Sequence, residues 1–368
     1  MESIDYMKRA LELAKKGWGR TKPNPLVGAV IVKNGGIIGE GWHEKFGGPH
    51  GEINAINNCV ENCEGADLYI NLEPCSHYGK TPPCVYSIIE SKIKKVVIAM
   101  EDPNPMVSGK GISILRENGI NVETGLLKEE ALKLNDVFIK YITKKTPFVL
   151  LKWAMTVDGK TATKTGDSKW ISSYSSREYV HKLRNRYSSI LVGINTVLKD
   201  NPELTARSIE IDNINPTRIV LDRLGQVPLS AKLLDIDETK PLIIATSEKV
   251  NIEKKKKLLD MGAKVLIIDE SNGALNLKTL LHELYKQGIE SILVEGGGTV
   301  ASSFLEAGLV DKIAAFIAPV IIGGKDAKTP VMGNGVLNIK DGSKILLPEI
   351  KRFEDDILIE GYIKLPWE

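Results

Sequence analysis

One histidine, one glutamate and two cysteines in the first quarter of the chain have the types and spacing of a hydrolytic metal site. His50 and Glu52 stand two residues apart in PHGE, and Cys75 and Cys84 belong to the segment PCSHYGKTPPC. One imidazole and two thiolates form the ligand set of a catalytic zinc, which keeps a fourth position for water. Zinc lowers the pKa of a bound water to roughly 7, and a nearby carboxylate can carry the proton. We therefore predict zinc on His50, Cys75 and Cys84. Glu52 is the predicted proton carrier.

The His-x-Glu and Pro-Cys pattern is typical of zinc deaminases that act on nucleobases. Most of these enzymes separate the two cysteines by two residues, whereas eight residues separate them here. The insert contains His77 and Lys80, which can contact a polar or phosphorylated substrate. Pro82 and Pro83 predict a helix that begins at Cys84, where the helix dipole favours a thiolate. The alternative, cysteines packed in a core without metal, requires the whole pattern to arise by coincidence.

The long cysteine spacing with GKTPPC resembles the deaminase half of the bifunctional riboflavin-biosynthesis deaminase-reductases. The resemblance implies hydrolysis of the 2-amino group of a diaminopyrimidine ribosylamine phosphate, followed by reduction of the ribosyl unit to ribityl. The family usually has Ala where this chain has Gly51, a change that we expect to be tolerated because the position contributes mainly backbone. Asn24, between two prolines, has the alternative interpretation of a turn residue. The resemblance implies substrate contacts at Asn24, His43, Asp102 and Asn104.

Composition places the chain among ordinary globular proteins and indicates no polyanionic partner. Its 368 residues predict two domains, its hydrophobic fraction is 42%, and its formal charge is only +2. We find no signal region and no apolar run long enough to cross a membrane, so we expect a cytoplasmic protein. All four cysteines lie in the first quarter, which favours a metal site over a disulfide framework. Cys59 and Cys63 suggest a second metal site, but without a nearby His or further Cys we interpret them as packing or surface thiols.

The order of predicted elements indicates an α/β protein. In residues 1–145, alternating strands and helices predict a three-layer α/β/α domain of the cytidine-deaminase type, closed by one helix from Leu127 to Ile142. The charged stretch before Pro147 marks the boundary, and residues 146–368 form the second predicted domain. There Phe148–Ala154 reads as a buried strand, and its Lys152 needs a role because a buried ammonium group is costly. A pair of antiparallel strands is predicted at the end of the chain.

A glycine-rich turn links the predicted strand Ser291–Val294 to the helix Val300–Ala307. Such a turn lets backbone N–H groups approach a phosphate, although a tight turn without a ligand is an equal alternative. Glu295 ends the strand, where open α/β sheets place their ligands.

Two further segments, VGINTVLKDNPELTAR and VEGGGTVASSFLEAGLVDKI, resemble the reductase half of the same family. The resemblance implies a fold similar to dihydrofolate reductase and NADPH as cofactor. It implies substrate contacts at Ser168, Arg184, Leu204, Arg207 and Glu295. The cofactor contacts that it implies are Ala154, Trp170, Thr196, Asp200, Gly297, Gly298, Thr299, Val300, Ala301, Ser302 and Ser303.

Charge suggests roles for several of these residues. Guanidinium matches phosphate in a bidentate manner, so Arg184 and Arg207 are candidate phosphate partners. A solvated helix face is the alternative for Arg184. We hypothesise that Lys152 and Glu295 polarise and protonate the ring-opened sugar imine while hydride arrives.

Two other functions compete with this prediction. One is a nucleic-acid base deaminase fused to an unrelated α/β ligand-binding module, and the other makes the second half an inactive ligand sensor. The run Lys254–Lys257 is basic, but the adjacent Glu253 and Asp260 favour a solvated helix face over a nucleic-acid contact. We expect a homo-oligomer that acts on a small phosphorylated pyrimidine, without nucleic-acid or membrane partners.

Overall fold

A computed structural model describes residues 2–76, 83–104 and 108–368. The chain forms two compact units, Met1–Lys145 with Trp367, and Thr146–Pro366 with Glu368. Within the described ranges, no helix is long and apolar enough to cross a membrane.

The first unit contains a five-stranded sheet and helices on both of its faces. The strands are β1 (Gly28–Lys33), β2 (Gly36–Trp42), β3 (Asp67–Leu72), β4 (Lys95–Met100) and β5 (Asn121–Thr124). The helices are α1 (Ser3–Lys15), α2 (Gly51–Asn57), α3 (Cys84–Glu90), α4 (Lys110–Glu117), α5 (Lys128–Leu134) and α6 (Asp136–Lys144).

The sheet has the order β2-β1-β3-β4-β5, in which β1 pairs antiparallel with β2 and β3 while β3, β4 and β5 run parallel. Helices α1 and α5 contact each other, whereas α2, α3 and α4 form a second contiguous layer. The predicted three-layer α/β/α architecture is therefore confirmed. The predicted start of α3 at Cys84 is also confirmed, and Pro83 occupies the N-cap.

A glycine sets the distance between α2 and the sheet. A Cβ atom at Gly41 of β2 would lie 2.2 Å from the backbone nitrogen of Ala55 in α2. Only glycine permits this approach without a backbone shift. The close packing fixes α2, which begins directly after His50 and carries Glu52.

The prediction of one helix from Leu127 to Ile142 is wrong, because the helix is interrupted at Asn135, which separates α5 from α6. The Asn135 side chain is buried; its Oδ1 accepts from the Leu26 backbone N–H at 2.8 Å, and its Nδ2 donates to the Leu26 carbonyl at 3.1 Å. These two hydrogen bonds hold Asn135 against the loop before β1. The spacing of apolar residues in the sequence gives no sign of the interruption.

The second unit contains a nine-stranded sheet and a small two-stranded sheet. The strands are β6 (Phe148–Thr156), β7 (Ser189–Gly193), β8 (Thr217–Leu221), β9 (Leu242–Thr246), β10 (Lys264–Ile267), β11 (Glu270–Ser271), β12 (Ala274–Leu275), β13 (Ser291–Val294), β14 (Lys312–Ala318), β15 (Leu346–Phe353) and β16 (Asp356–Tyr362). The helices are α7 (Tyr174–Arg186), α8 (Ile194–Asp200), α9 (Ile252–Asp260), α10 (Leu277–Lys286) and α11 (Gly298–Glu306).

The large sheet has the order β10-β9-β8-β7-β13-β6-β14-β16-β15. In this order, the first seven strands, which end with β14, are all parallel. The predicted antiparallel pair at the end of the chain is confirmed as β15 and β16. Strand β14 was not predicted. Its sequence KIAAFIA is buried along most of its length and lacks the alternation that marks a half-buried strand. The parallel arrangement brings the carboxyl ends of β6, β7 and β13 to one edge, where open α/β sheets bind ligands.

Candidate active sites

The three predicted metal ligands converge in the first unit. The Nδ1 atom of His50 lies 3.2 Å from the Cys84 sulfur and 3.6 Å from the Cys75 sulfur. All three ligand atoms lie within 4.8 Å of one another, and no other such group occurs in the described part of the chain. The ligands come from the residue before α2, the segment after β3 and the first turn of α3.

The two thiols interact with each other and with the histidine. The hydrogen bond from Cys84 lowers the pKa of Cys75 to about 4, despite burial. The same bond and burial raise the pKa of Cys84. The hydrogen bond with Cys75 raises the pKa of His50, although burial opposes this. A divalent cation that binds here would displace the remaining protons, since thiolates and neutral imidazole are the ligating forms.

Glu52 lies beside the ligands as a buried carboxyl group. Only 2% of the residue is exposed, and its Oε2 atom has no hydrogen-bond partner among the described residues. Burial raises the pKa of Glu52 to about 7. A carboxyl group with this pKa can both accept and release a proton near neutral pH.

A cavity of about 310 Å³ opens next to these residues. His43 donates from Nδ1 to the Pro49 carbonyl at 2.9 Å, and burial lowers its pKa, so the neutral ring presents Nε2 as an acceptor. The Asn24 amide lies 3.1 Å from that Nε2 atom. The lining residues include Asn24, His43, His50, Glu52, Glu73, Cys75, Asp102 and Asn104.

In the second unit, a buried cluster of charges occupies the carboxyl end of the parallel strands. Glu295 directly follows β13 and accepts from Arg184 at 2.9 Å (Nε) and 3.0 Å (Nη2). The Lys152 ammonium group, on β6, lies 3.8 Å from the second Glu295 oxygen. Although burial opposes ionisation, the charges of Arg184 and Lys152 lower the pKa of Glu295 to about 2. Burial lowers the pKa of Lys152, which Glu295 counteracts.

This cluster lines a cavity of about 580 Å³. Its wall also contains the glycine turn between β13 and α11. A Cβ atom at Gly297 would meet no atom within 4 Å, so this residue faces open space directly before a nine-residue helix, whereas a Cβ atom at Gly298 would lie 2.7 Å from the Thr329 carbonyl oxygen. Free N–H groups at a helix start are suited to a phosphate.

Comparisons with known proteins match both halves. A family model described as the RibD C-terminal domain matches residues 147–359, and one described as the cytidine and deoxycytidylate deaminase zinc-binding region matches residues 1–100. The riboflavin biosynthesis protein RibD of Aquifex aeolicus is 46% identical over 355 residues, which is 96% of this chain and 97% of that protein. That of Actinobacillus pleuropneumoniae is 45% identical over 366 residues, 100% of this chain and 96% of that protein. The chain belongs to the RibD family.

Solved structures agree with this membership. A diaminohydroxyphosphoribosylaminopyrimidine deaminase/5-amino-6-(5-phosphoribosylamino)uracil reductase from Thermotoga maritima is 43% identical, covers 98% of both chains and gives a TM-score of 0.85. Acinetobacter baumannii RibD gives 0.86 at 38% identity, again covering 98% of both chains. This RibD family member is therefore a bifunctional deaminase and reductase. The second half is neither an unrelated module nor a ligand sensor, because it is the RibD reductase domain.

The residues of this RibD chain fit both cofactors of the family. The soft donor set with a buried, unpartnered Glu52 oxygen beside it suits a catalytic zinc. The open glycine turn at the start of α11, on the wall of a large cavity, suits the phosphates of NADPH.

The structure brings together most predicted residues of the deaminase site. The ligand Cys84 is buried behind the cavity surface. His77 and Lys80 lie outside the described residues. Cys59 and Cys63 pack together with their sulfurs 2.8 Å apart, one half-buried and the other buried, in agreement with packing thiols. At Gly51, a Cβ atom would lie 2.9 Å from the Val27 carbonyl oxygen, so alanine requires a small backbone shift.

The predicted reductase residues divide into three groups. Lining the cavity are Lys152, Ser168, Arg184, Arg207, Glu295, Ala154, Trp170, Thr196, Asp200, Gly297 and Gly298. A neighbouring cavity of about 680 Å³ is lined instead by Thr299, Val300 and Ser303. Buried in the packing of the unit are Leu204, Ala301 and Ser302.

The structure excludes one alternative and bears on one hypothesis for the charged residues. Arg184 does not lie on a solvated helix face, since its side chain is 15% exposed and three of its donors bind Glu295 and the Thr205 carbonyl. The charges of Arg184 and Lys152 lower the pKa of Glu295 despite its burial, which favours Lys152 over Glu295 as the donor of a proton to the imine.

Several cavity residues were not predicted. Phe138 and Tyr141 of α6 line the deaminase cavity. His181 and Trp153 line the reductase cavity. The Nδ1 atom of His181 accepts from the Arg207 backbone N–H at 3.2 Å. The only indication in the sequence that His181 belongs to the site is its position one helical turn before Arg184.

Proposed function

We propose that the first unit hydrolyses the amino group of diaminohydroxyphosphoribosylaminopyrimidine and that the second reduces the product, 5-amino-6-(5-phosphoribosylamino)uracil, at its ribosyl group. These are the reactions named for the Thermotoga maritima relative. The observation that carries the proposal is the convergence of His50, Cys75 and Cys84 beside the buried Glu52 carboxyl group.

Glu52 is the proton carrier of the deaminase site. Zinc, when bound, supplies a Lewis acid that makes a water nucleophilic at neutral pH. The Glu52 Oε2 atom takes up the proton of the attacking water and returns it to the departing nitrogen. Burial raises the pKa of Glu52, which favours its uptake of the proton.

The polar residues of the cavity orient the pyrimidine. The neutral His43 ring and the Asn24 amide are held together by their hydrogen bond, so they present fixed groups to the ring. Asp102 and Asn104 lie on another wall of the same cavity. The backbone N–H of Asn104 donates to Asp102 Oδ1 at 2.8 Å, which fixes that carboxyl group.

In the reductase site, Lys152 is the charged group next to the reacting carbon. NADPH, when bound, supplies the hydride. The Lys152 ammonium group donates to the sugar imine or its neighbouring hydroxyl and is the proton source, because Glu295 stays ionised. Glu295 keeps Lys152 charged, and Arg184 holds Glu295 in place. Arg207, half-exposed on the cavity wall, remains the candidate partner of the substrate phosphate.

We further propose a cytoplasmic homo-oligomer that acts on this small substrate and does not bind nucleic acid. The near-neutral charge of +2 supports the last point.

The assay that tests the proposal supplies the purified chain with the diaminopyrimidine substrate, with and without NADPH. We expect the deaminated uracil to accumulate without NADPH and the ribityl product to form with it. Mass spectrometry distinguishes the two products. Absence of the deaminated product under both conditions would refute the assignment of the first unit.

A further inference from the structure

Glu73 is a buried carboxylate near the metal ligands and the segment that carries Asp102 and Asn104. It takes no part in the proposed deamination steps. It follows β3 and stands two residues before Cys75. Only 3% of the residue is exposed, and it lines the deaminase cavity. A buried carboxylate is costly unless hydrogen bonds compensate it, so its contacts indicate its purpose.

Both carboxylate oxygens accept backbone N–H groups from the segment that leads into α4. Oε2 accepts from Asp102 at 3.1 Å and from Gly109 at 3.0 Å. Oε1 accepts from Gly111 at 2.9 Å and from Ile112 at 3.2 Å. Hydrogen bonds to an ionised acceptor are roughly twice as strong as neutral ones.

The four donors lie on both sides of Asn104 in the sequence. Asp102 precedes it, and the other three donors follow it. One side chain thereby holds both ends of a chain segment whose Asp102 and Asn104 face the cavity. Because Glu73 directly follows β3 and stands two residues before Cys75, the same contacts fix the position of that segment relative to the metal ligands.

Backbone packing supports the same relationship independently. A Cβ atom at Gly111 would lie 2.3 Å from the Pro74 carbonyl oxygen and 3.2 Å from Glu73 Oε1. The first turn of α4 therefore lies directly against the Glu73–Cys75 segment, and only glycine allows this approach without a shift.

We propose that Glu73 is a positioning residue of the deaminase, which fixes Asp102 and Asn104 against the metal-ligand strand so that they can bind the pyrimidine. The inference rests on the proposed deaminase function, since it assigns Glu73 to substrate binding and not to the chemical step.

Glu73→Gln tests the proposal because it keeps the size of the side chain but replaces one acceptor oxygen with an NH2 group. In either orientation that group faces two N–H donors, so the contacts either with Asp102 and Gly109 or with Gly111 and Ile112 are lost. We expect KM for the diaminopyrimidine to rise at least ~10-fold, equivalent to about 1.4 kcal/mol, while kcat stays within ~3-fold and zinc content is unchanged. Reduction of the deaminated intermediate should also be unchanged. Hydrogen exchange of the four backbone amides that donate to Glu73, in Asp102, Gly109, Gly111 and Ile112, should become faster.

Glu101→Gln is the matched control, because Glu101 is an exposed carboxylate next to the same segment. It should leave KM, zinc content and hydrogen exchange unchanged. If Glu73→Gln does not fold, Glu73→Asp keeps the charge but is one methylene too short to reach both pairs of donors. It should show the same rise in KM with zinc retained.

Three results would overturn the proposal. One is unchanged KM and hydrogen exchange in Glu73→Gln. The second is a fall in kcat with KM unchanged, which would place Glu73 in the chemical step. The third is loss of zinc from both Glu73 variants, which would make the residue part of the metal site's support. A wild-type chain without deaminase activity would instead refute the proposed function, and hydrogen exchange would still test the Glu73 contacts.

Discussion

Arg184 binds Glu295 through two parallel hydrogen bonds, from Nε at 2.9 Å and from Nη2 at 3.0 Å. The pair is almost enclosed, since the side chains are 15% and 10% exposed. The Arg184–Glu295 pair also affects the charge of Lys152. With Glu295 held as an anion 3.8 Å away, Lys152 can remain an ammonium group in a strand that would otherwise disfavour its charge.

The charge of Lys152 predicts a pH dependence of the reductase. Burial lowers the pKa of Lys152 from its ordinary value of 10.5, so the protonated form is lost as pH rises through that lower value. We expect the rate of NADPH oxidation with the deaminated intermediate to fall in the same range. Lys152→Met should lower the rate at least ~10²-fold at neutral pH, with NADPH binding and deamination retained. Lys152→Arg keeps the positive charge but does not release a proton in this pH range, so its rate should fall as well.

Single-turnover NADPH oxidation between pH 6 and pH 10 measures both effects, with NADPH fluorescence titration as the binding control. A near-normal rate in Lys152→Met would leave the lysine without a role in reduction.

We expect removal of Arg184 to lower the stability of the protein more than removal of a residue from an exposed ion pair does. Arg184→Met leaves Glu295 without its closest cation, and breaking a buried pair costs about 3 kcal/mol or more. Lys182→Met, on the same helix, removes an exposed pair with Glu210 and should cost less than ~1 kcal/mol. Calorimetry of both variants at pH 7 compares them. Equal melting temperatures would contradict the structural role of the Arg184–Glu295 pair.

The metal site predicts one zinc ion per chain. Cys75→Ser removes a thiolate from the His50, Cys75 and Cys84 group, so the variant should lose zinc and deamination and keep reduction. Cys63→Ser is the control, because Cys63 packs against Cys59 and belongs to no metal group in the described residues. Elemental analysis measures the zinc. Equal zinc in the wild type and in Cys75→Ser would refute the ligand assignment.

The deaminase site could be predicted because its chemistry is concentrated in short motifs. His50 and Glu52 share one helix start, and the cysteines follow a strand and begin a helix. The contact between Asn24 and His43 was not predicted, although these residues precede β1 and follow β2, which pair antiparallel. Phe138 and Tyr141 were not predicted, because the sequence pattern shows neither the interruption of the helix at Asn135 nor which side of α6 meets the cavity.

The reductase site was harder to predict, because its residues come from distant elements. Helical spacing makes Arg184 look like a surface residue, yet it reaches Glu295, which lies 111 positions away. The unusual placement of Lys152 in an apolar strand did signal the site, since a lone charge there requires a partner. That partner is Glu295, which the parallel pairing of β6 with β13 brings close to Lys152. The order of the strands in the sheet determines this pairing, and the sequence does not reveal that order.

The most direct test of two successive activities in one chain follows NADPH oxidation by Glu52→Gln. Because Glu52 is not a metal ligand, this variant should retain zinc. General acid–base catalysis contributes ~10²–10⁴ in rate, so its deamination should be too slow to supply the reductase. With the diaminopyrimidine substrate we predict no NADPH oxidation, and with the deaminated uracil intermediate a rate equal to that of the wild type. Rapid NADPH oxidation by Glu52→Gln with the diaminopyrimidine substrate, or none with the intermediate, would contradict the account.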